Sequence, residues 1–202
     1  MLRNKIGLLF LVGLLLVSCA KKMETLEEMN NYLGKEENEL TYRKTINGVD
    51  FTLQYRPTDV LVKQELANKK GNADEVKKLR QKYGSHMYFN LSMSKNNAEL
   101  LNDVATDRSR FSNLLNDLVF QMDKKVYLYT PEKDTIPITD FVYPRMYGMG
   151  EATTIMFVYP KDDKILGNPF LDFCIEDLGF YTGEVRFKIN TEAIKNQPTL
   201  NL

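Results

Sequence analysis

Leu40-Thr41-Tyr42-Arg43-Lys44-Thr45-Ile46, then Asn47-Gly48, then Val49-Asp50-Phe51-Thr52-Leu53-Gln54-Tyr55 read together as a β-hairpin. An Asn-Gly pair between two β-prone runs suits a two-residue turn, because both turn positions need positive φ. Val49, Phe51, Leu53 and Tyr55 alternate with polar neighbours, so this strand buries one face and wets the other.

Downstream, Pro57 stops the strand, and Thr58 or Asp59 can cap a helix running to about Lys69. A second helix is predicted from Ala73 to Tyr83, ended by a glycine cap at Gly84. Met87, Phe89, Leu91 and Met93 alternate as a strand. Ser109 to Asp123 carries Phe111, Leu114, Leu115, Leu118, Val119 and Met122 at helical spacing, which predicts one long amphipathic helix. Five further strands are predicted at 126–130, 138–143, 153–159, 171–177 and 183–189. Phe141-Val142-Tyr143-Pro144-Arg145 and Phe157-Val158-Tyr159-Pro160-Lys161 resemble each other, which two strands ending at proline explain without a duplication. The fold expected is α+β: an antiparallel β-sandwich of about seven to eight strands, with two or three helices between the early strands.

The front of the chain carries a different signal. Arg3 and Lys5 precede an apolar run from Ile6 to Val17, followed by Ser18-Cys19. That run is shorter than the roughly 20 residues a membrane-crossing helix needs, so it reads as an export signal. Leu16-Val17-Ser18-Cys19 resembles the lipobox of bacterial lipoproteins. The resemblance implies cleavage before Cys19, a diacylglycerol on its sulfur and a further acyl chain on the new amine. It divides the chain into a signal (1–18), a lipidated cysteine with a tether (19–39), a single β-rich domain (40–190) and a tail (191–202). In 20–39, Met23, Leu26, Met29, Tyr32 and Leu33 also fit one helical stripe, and both readings stay open.

By the same resemblance, Ala20-Lys21-Lys22 lack the aspartate that marks inner-membrane retention in enterobacteria. Glu24, Glu27 and Glu28 do not form the acidic run that follows the cysteine in some surface-exposed Bacteroidetes lipoproteins. The expected location is the outer membrane, on its periplasmic leaflet. Asp134-Thr135-Ile136 resembles the Bacteroidetes O-glycosylation signal, which makes Thr135 a candidate glycan acceptor.

Composition narrows the chemistry. Without Arg3 and Lys5 the chain holds 25 Lys and Arg against 27 Asp and Glu, a formal charge of −2, and so balanced a chain implies neither nucleic acid nor anionic lipid as partner. His86 is the only histidine, so any Ser-His or Cys-His catalyst must use it as base. With Cys19 lipidated, Cys174 is the remaining thiol, and it lies in an apolar strand as a packed cysteine. No cofactor or metal is called for. Asp172 and Glu176 form the one same-face carboxylate pair near the apolar strands.

Arg145-Met146-Tyr147-Gly148-Met149-Gly150 is a glycine-hinged connection rich in contact-forming side chains. It either presents Arg145, Met146, Tyr147 and Met149 to a partner or folds back as a lid over the end of the sandwich. Two functions follow. One is a non-catalytic, lipid-anchored binding or assembly module that contacts another envelope protein, in its narrower form the lipoprotein of a secretion or surface-assembly machine. The other is an anchored hydrolase of envelope glycan or peptide, using carboxylates.

Overall fold

The computed structural model describes residues 21–67, 71–146 and 149–202. Strand β1 (Lys22–Met23) leads into α1 (Leu26–Leu33), a 3-10 turn (Glu36–Asn38), the hairpin β2 (Thr41–Ile46) and β3 (Val49–Tyr55), helices α2 (Thr58–Glu65) and α3 (Ala73–Gly84), and β4 (His86–Lys95). Next come β5 (Ala98–Glu99), α4 (Leu100–Asp103), α5 (Arg108–Asn116), a π turn (Asp117–Gln121), a 3-10 turn (Met122–Lys124), β6 (Val126–Tyr129), β7 (Thr135–Ile136) and β8 (Asp140–Val142). The last part carries β9 (Thr153–Pro160), α6 (Asp163–Leu166), β10 (Phe170–Ile175), β11 (Val185–Asn190), α7 (Thr191–Lys195) and β12 (Thr199–Leu200).

The fold is α+β, built on two antiparallel sheets. One has the order β2-β3-β4-β9-β8, with β5 paired to β4; the other has the order β11-β10-β6-β7. β5 and β7, each two residues long, are sheet strands that the spacing of the sequence does not reveal. The turn between β2 and β3 is built as read: Asn47 and Gly48 have φ of 50° and 74°, and Ile46 faces Val49 across it. The two sheets meet through aromatic rings. Phe173 on β10 lies 6.1 Å from Phe89 on β4, and 5.7 Å and 6.5 Å from Phe157 and Tyr159 on β9. Edge and tilted contacts of this kind contribute roughly 0.5–1.5 kcal/mol each beyond the area they bury. The two similar pentapeptides are neighbours, with Phe141 opposite Phe157 and their rings 6.3 Å apart.

Both flanks of the domain differ from their reading. Residues 21–39 are not a tether. Thr25 caps α1 by accepting from the Glu28 N–H at 3.1 Å, and Met29 and Leu33 are fully buried in the main core. Residues 191–202 are not a tail. Thr191, Ile194 and Leu200 are buried, and β12 runs parallel to β1 with Lys22 opposite Thr199 and Met23 opposite Leu200. The helical stripe in 20–39 is thus the reading that holds, with Met29 and Leu33 as its buried residues.

Three helix readings also change. The helix at 109–123 is α-helical only to Asn116, and the π and 3-10 turns then redirect the chain. Leu114, Leu118 and Met122 reach the core, whereas Phe120 is exposed. Asp59 does not cap α2, which starts after Pro57 without a side-chain cap and ends at Glu65; Lys69 lies outside the described residues. Gly84 is helical, and α3 closes on Ser85 in an ordinary right-handed conformation.

Candidate functional site

Strand pairing gives the sandwich two distinct ends. Val49 faces Lys95 and Met93 faces Thr153, so the Asn47-Gly48 turn and the start of β9 share one end. The loop between β10 and β11 joins them, since the Asn47 Nδ2 donates to the Phe180 carbonyl at 2.7 Å. This is the hairpin end. At the other end the Gln197 Oε1 accepts from the Tyr55 hydroxyl at 3.3 Å and from the Thr58 N–H at 2.9 Å, beside β12. This is the terminal end.

The predicted contact connection lies at the hairpin end, between β8 and β9. Its root is held: the Gly150 N–H donates to Oε1 of buried Glu99 at 2.8 Å, and the Thr153 hydroxyl oxygen accepts from the Leu100 N–H at 3.0 Å. A Cβ on residue 150 would stand 2.8 Å from that carboxylate oxygen, which explains the glycine. Beyond this root the Met149 N–H closes a turn on the Met146 carbonyl at 3.1 Å. Arg145, Met146 and Met149 are exposed, with Met149 at 81 %. Tyr147 lies outside the described residues. The three described side chains therefore do not fold back as a lid.

A second loop at the same end was not singled out in the sequence. Asp177 organises it, accepting from the N–H groups of Gly179 and Phe180 at 2.9 and 2.8 Å and from Gly183 at 3.4 Å, while Arg110 donates to the Gly179 carbonyl at 3.1 Å. The loop presents Tyr181, 86 % exposed and at φ of 59°. A non-glycine residue at positive φ is held there by its surroundings at some cost in energy. Leu178-Gly179 marks this turn in the sequence, but nothing in the local pattern marks Tyr181 as its exposed tip.

The large apolar side chains left exposed among the described residues are Phe120, Val142, Met146, Met149 and Tyr181. Phe120 lies in the turn leading to the Val126 end of β6, and Val126 faces Ile175 at the hairpin end. Val142 ends β8 on its hairpin-end side, opposite Met156. All five thus belong to one half of the molecule. Scattered exposed apolar residues need no explanation, but their segregation does.

The carboxylate pair does not assemble. Asp172 and Glu176 lie four residues apart along extended chain, about 13 Å between Cα atoms. Different cations hold them: Lys133 lies 3.1 Å from Asp172, and Lys125 3.1 Å from Glu176. The Tyr127 hydroxyl also donates to Glu176 at 2.9 Å, and this bond, then Lys125, holds the Glu176 carboxyl below the usual carboxylate range. A general acid needs the opposite shift.

His86 is also placed for structure. The Ser85 hydroxyl donates to the Lys82 carbonyl at 2.9 Å and lies 2.8 Å from His86 Nδ1. The Ser85 hydroxyl thus bridges the end of α3 and the His86 ring at the start of β4. Cys174 is fully buried, and burial pushes its thiol up from the ordinary value, away from a reactive thiolate. Thr135 is exposed on β7, where a glycan has room. Cys19 lies outside the described residues.

No protein-family model matches the chain, and no curated protein matches it. Among solved structures it is similar to a DUF4426 family protein from Pseudomonas aeruginosa PAO1. That likeness has a TM-score of 0.38 and 9 % identity, over 75 % of this chain and 94 % of that one.

Proposed function

We propose that this protein is a lipid-anchored, non-catalytic binding or assembly module of the cell envelope, and that it contacts another envelope protein through the hairpin end. The gathering of Val142, Met146, Met149 and Tyr181 at that end, with Phe120 in the same half, carries the reading. Tyr is enriched among the anchors of protein interfaces, and Met adapts to irregular partner surfaces. Glu99 holds the root of one loop and Asp177 the backbone of the other, which lowers the ordering cost of docking at those points. The lipobox-like segment supports the membrane part of the reading, with the outer membrane favoured. The separate ion pairs of Asp172 and Glu176 weigh against the hydrolase alternative.

Photo-crosslinking in cells tests this reading. A photoreactive residue at position 149 or 181 should give an adduct with one specific envelope protein, and the same residue at Lys78 on α3 should not. Met149→Asp should abolish co-purification of that protein while leaving the fold intact. Adducts absent from 149 and 181, or equal at all three positions, would overturn it.

A further inference from the structure

We infer that the terminal end is the surface that seats against the bilayer, so that the hairpin end is presented outward at a set height. The inference rests on acylation of Cys19. Only Ala20 and Lys21 separate that cysteine from β1. Three peptide steps from Cys19 to Lys22 span at most about 11 Å, where a twenty-residue tether would have let the domain wander.

The point of attachment is firm. The Thr199 N–H donates to the Lys21 carbonyl at 3.0 Å, and the Asn201 N–H to the Met23 carbonyl at 2.9 Å. β12 in turn is fixed from the other side. The Leu200 N–H donates to Asp59 at 2.8 Å, and Arg80 donates both to the Leu200 carbonyl at 3.2 Å and to the two oxygens of Asp59. A pull on the lipid is therefore passed through β1 and β12 to α2 and α3. Peeling β1 away would break these ladder bonds and expose Met23, which is buried.

The opposite end is out of reach. Asn47 to Pro57 follows one extended strand of about 33 Å, three times the available linker. Charge does not set the seating. Lys21 and Lys22 are accompanied by Glu24, Glu27 and Glu28, so the attachment segment itself is no polybasic run. The covalent geometry acts alone, and the orientation should be indifferent to salt and to anionic lipid. The bound partner would then meet Tyr181 and Met149 some tens of ångströms above the headgroups, not within them.

The test uses the full acylated protein in phosphatidylcholine vesicles carrying a spin-labelled headgroup as quencher. A fluorophore is attached through Glu27→Cys in one variant and Met149→Cys in another. Strong quenching is expected at position 27 and little at 149, unchanged in high salt or on adding anionic lipid. Inserting about ten Gly-Ser residues after Cys19 should release the quenching at 27, since so flexible a linker lets the domain leave the surface. Equal quenching at both positions, or no effect of the insertion, in protein that floats with the vesicles overturns this seating alone. Protein that does not float and whose Cys19 has the mass of a free thiol overturns the anchor reading, and this inference with it.

Discussion

Asp59 grips Arg80 through both carboxylate oxygens, at 2.7 and 2.8 Å, and still accepts the Leu200 N–H at 2.8 Å. A residue in the first turn of α2 thereby joins α3 to the C-terminal strand. Asp59 is 4 % exposed, so its charge is shielded from water and depends on these partners. Asp59→Ala leaves a buried N–H unsatisfied and releases Arg80. The expected loss is about 2–4 kcal/mol, read from the denaturant midpoint, with the steepest rise in hydrogen exchange at Leu200. Arg80→Lys should recover only part of the stability, because a lysine cannot bridge both oxygens.

The root of the 143–152 loop gives a second expectation. Gly150→Ala forces a Cβ to within 2.8 Å of Glu99 Oε1 and should shift the loop. Thr153→Val removes the acceptor of the buried Leu100 N–H at nearly constant volume and should cost roughly 1–3 kcal/mol. Both changes should weaken partner crosslinking at 149 as well as stability, while a surface change such as Lys78→Ala should alter neither.

Acid should act partly through Glu176. Its carboxyl is held below the usual range, by the Tyr127 hydroxyl first and Lys125 second. The charged form is thus favoured by folding. The stability it contributes is present above the ordinary Glu value, near ~4.3, and is lost as pH falls through the lower folded-state value. Glu176→Gln should flatten the pH dependence of the unfolding midpoint in that acid window, lowering the midpoint at higher pH and converging with the unchanged protein below the window. The difference should stay below about 1 kcal/mol, because the pair is partly exposed.

Cys174 offers a probe of opening. It packs on β10 between Tyr127 of β6 and Arg186 of β11. A maleimide, located by peptide mapping, should fail to modify it in the native protein and should label it along the global unfolding curve. Rapid native labelling would show that the second sheet opens independently of the first.

Much of the scaffold was legible in local pattern. Asn47-Gly48 dictates its turn because both residues must enter the left-handed region, and Val49, Phe51, Leu53 and Tyr55 announce the buried face by alternation. The exposed connection around Met146 and Met149 was visible as contact-forming residues near glycines. Tyr181 was not, because its exposure follows from three backbone bonds to Asp177 and one from Arg110, which comes from a distant helix.

By itself the sequence determined the longer strands, the buried face of those that alternate, and that a cysteine follows a short apolar run near the front. These are matters of dihedral preference and of apolar period, settled within a few residues. Tertiary structure alone decided that residues 21–39 and 191–202 are parts of the body and that Asp59 turns inward. It also decided that Asp172 and Glu176 serve separate cations and that the exposed apolar side chains gather at one end. A two-residue parallel pairing leaves no periodic trace, and an ion pair twenty-one residues apart in sequence has none to leave. Such contacts exist because the core brings their partners within reach, and local spacing does not encode that distance.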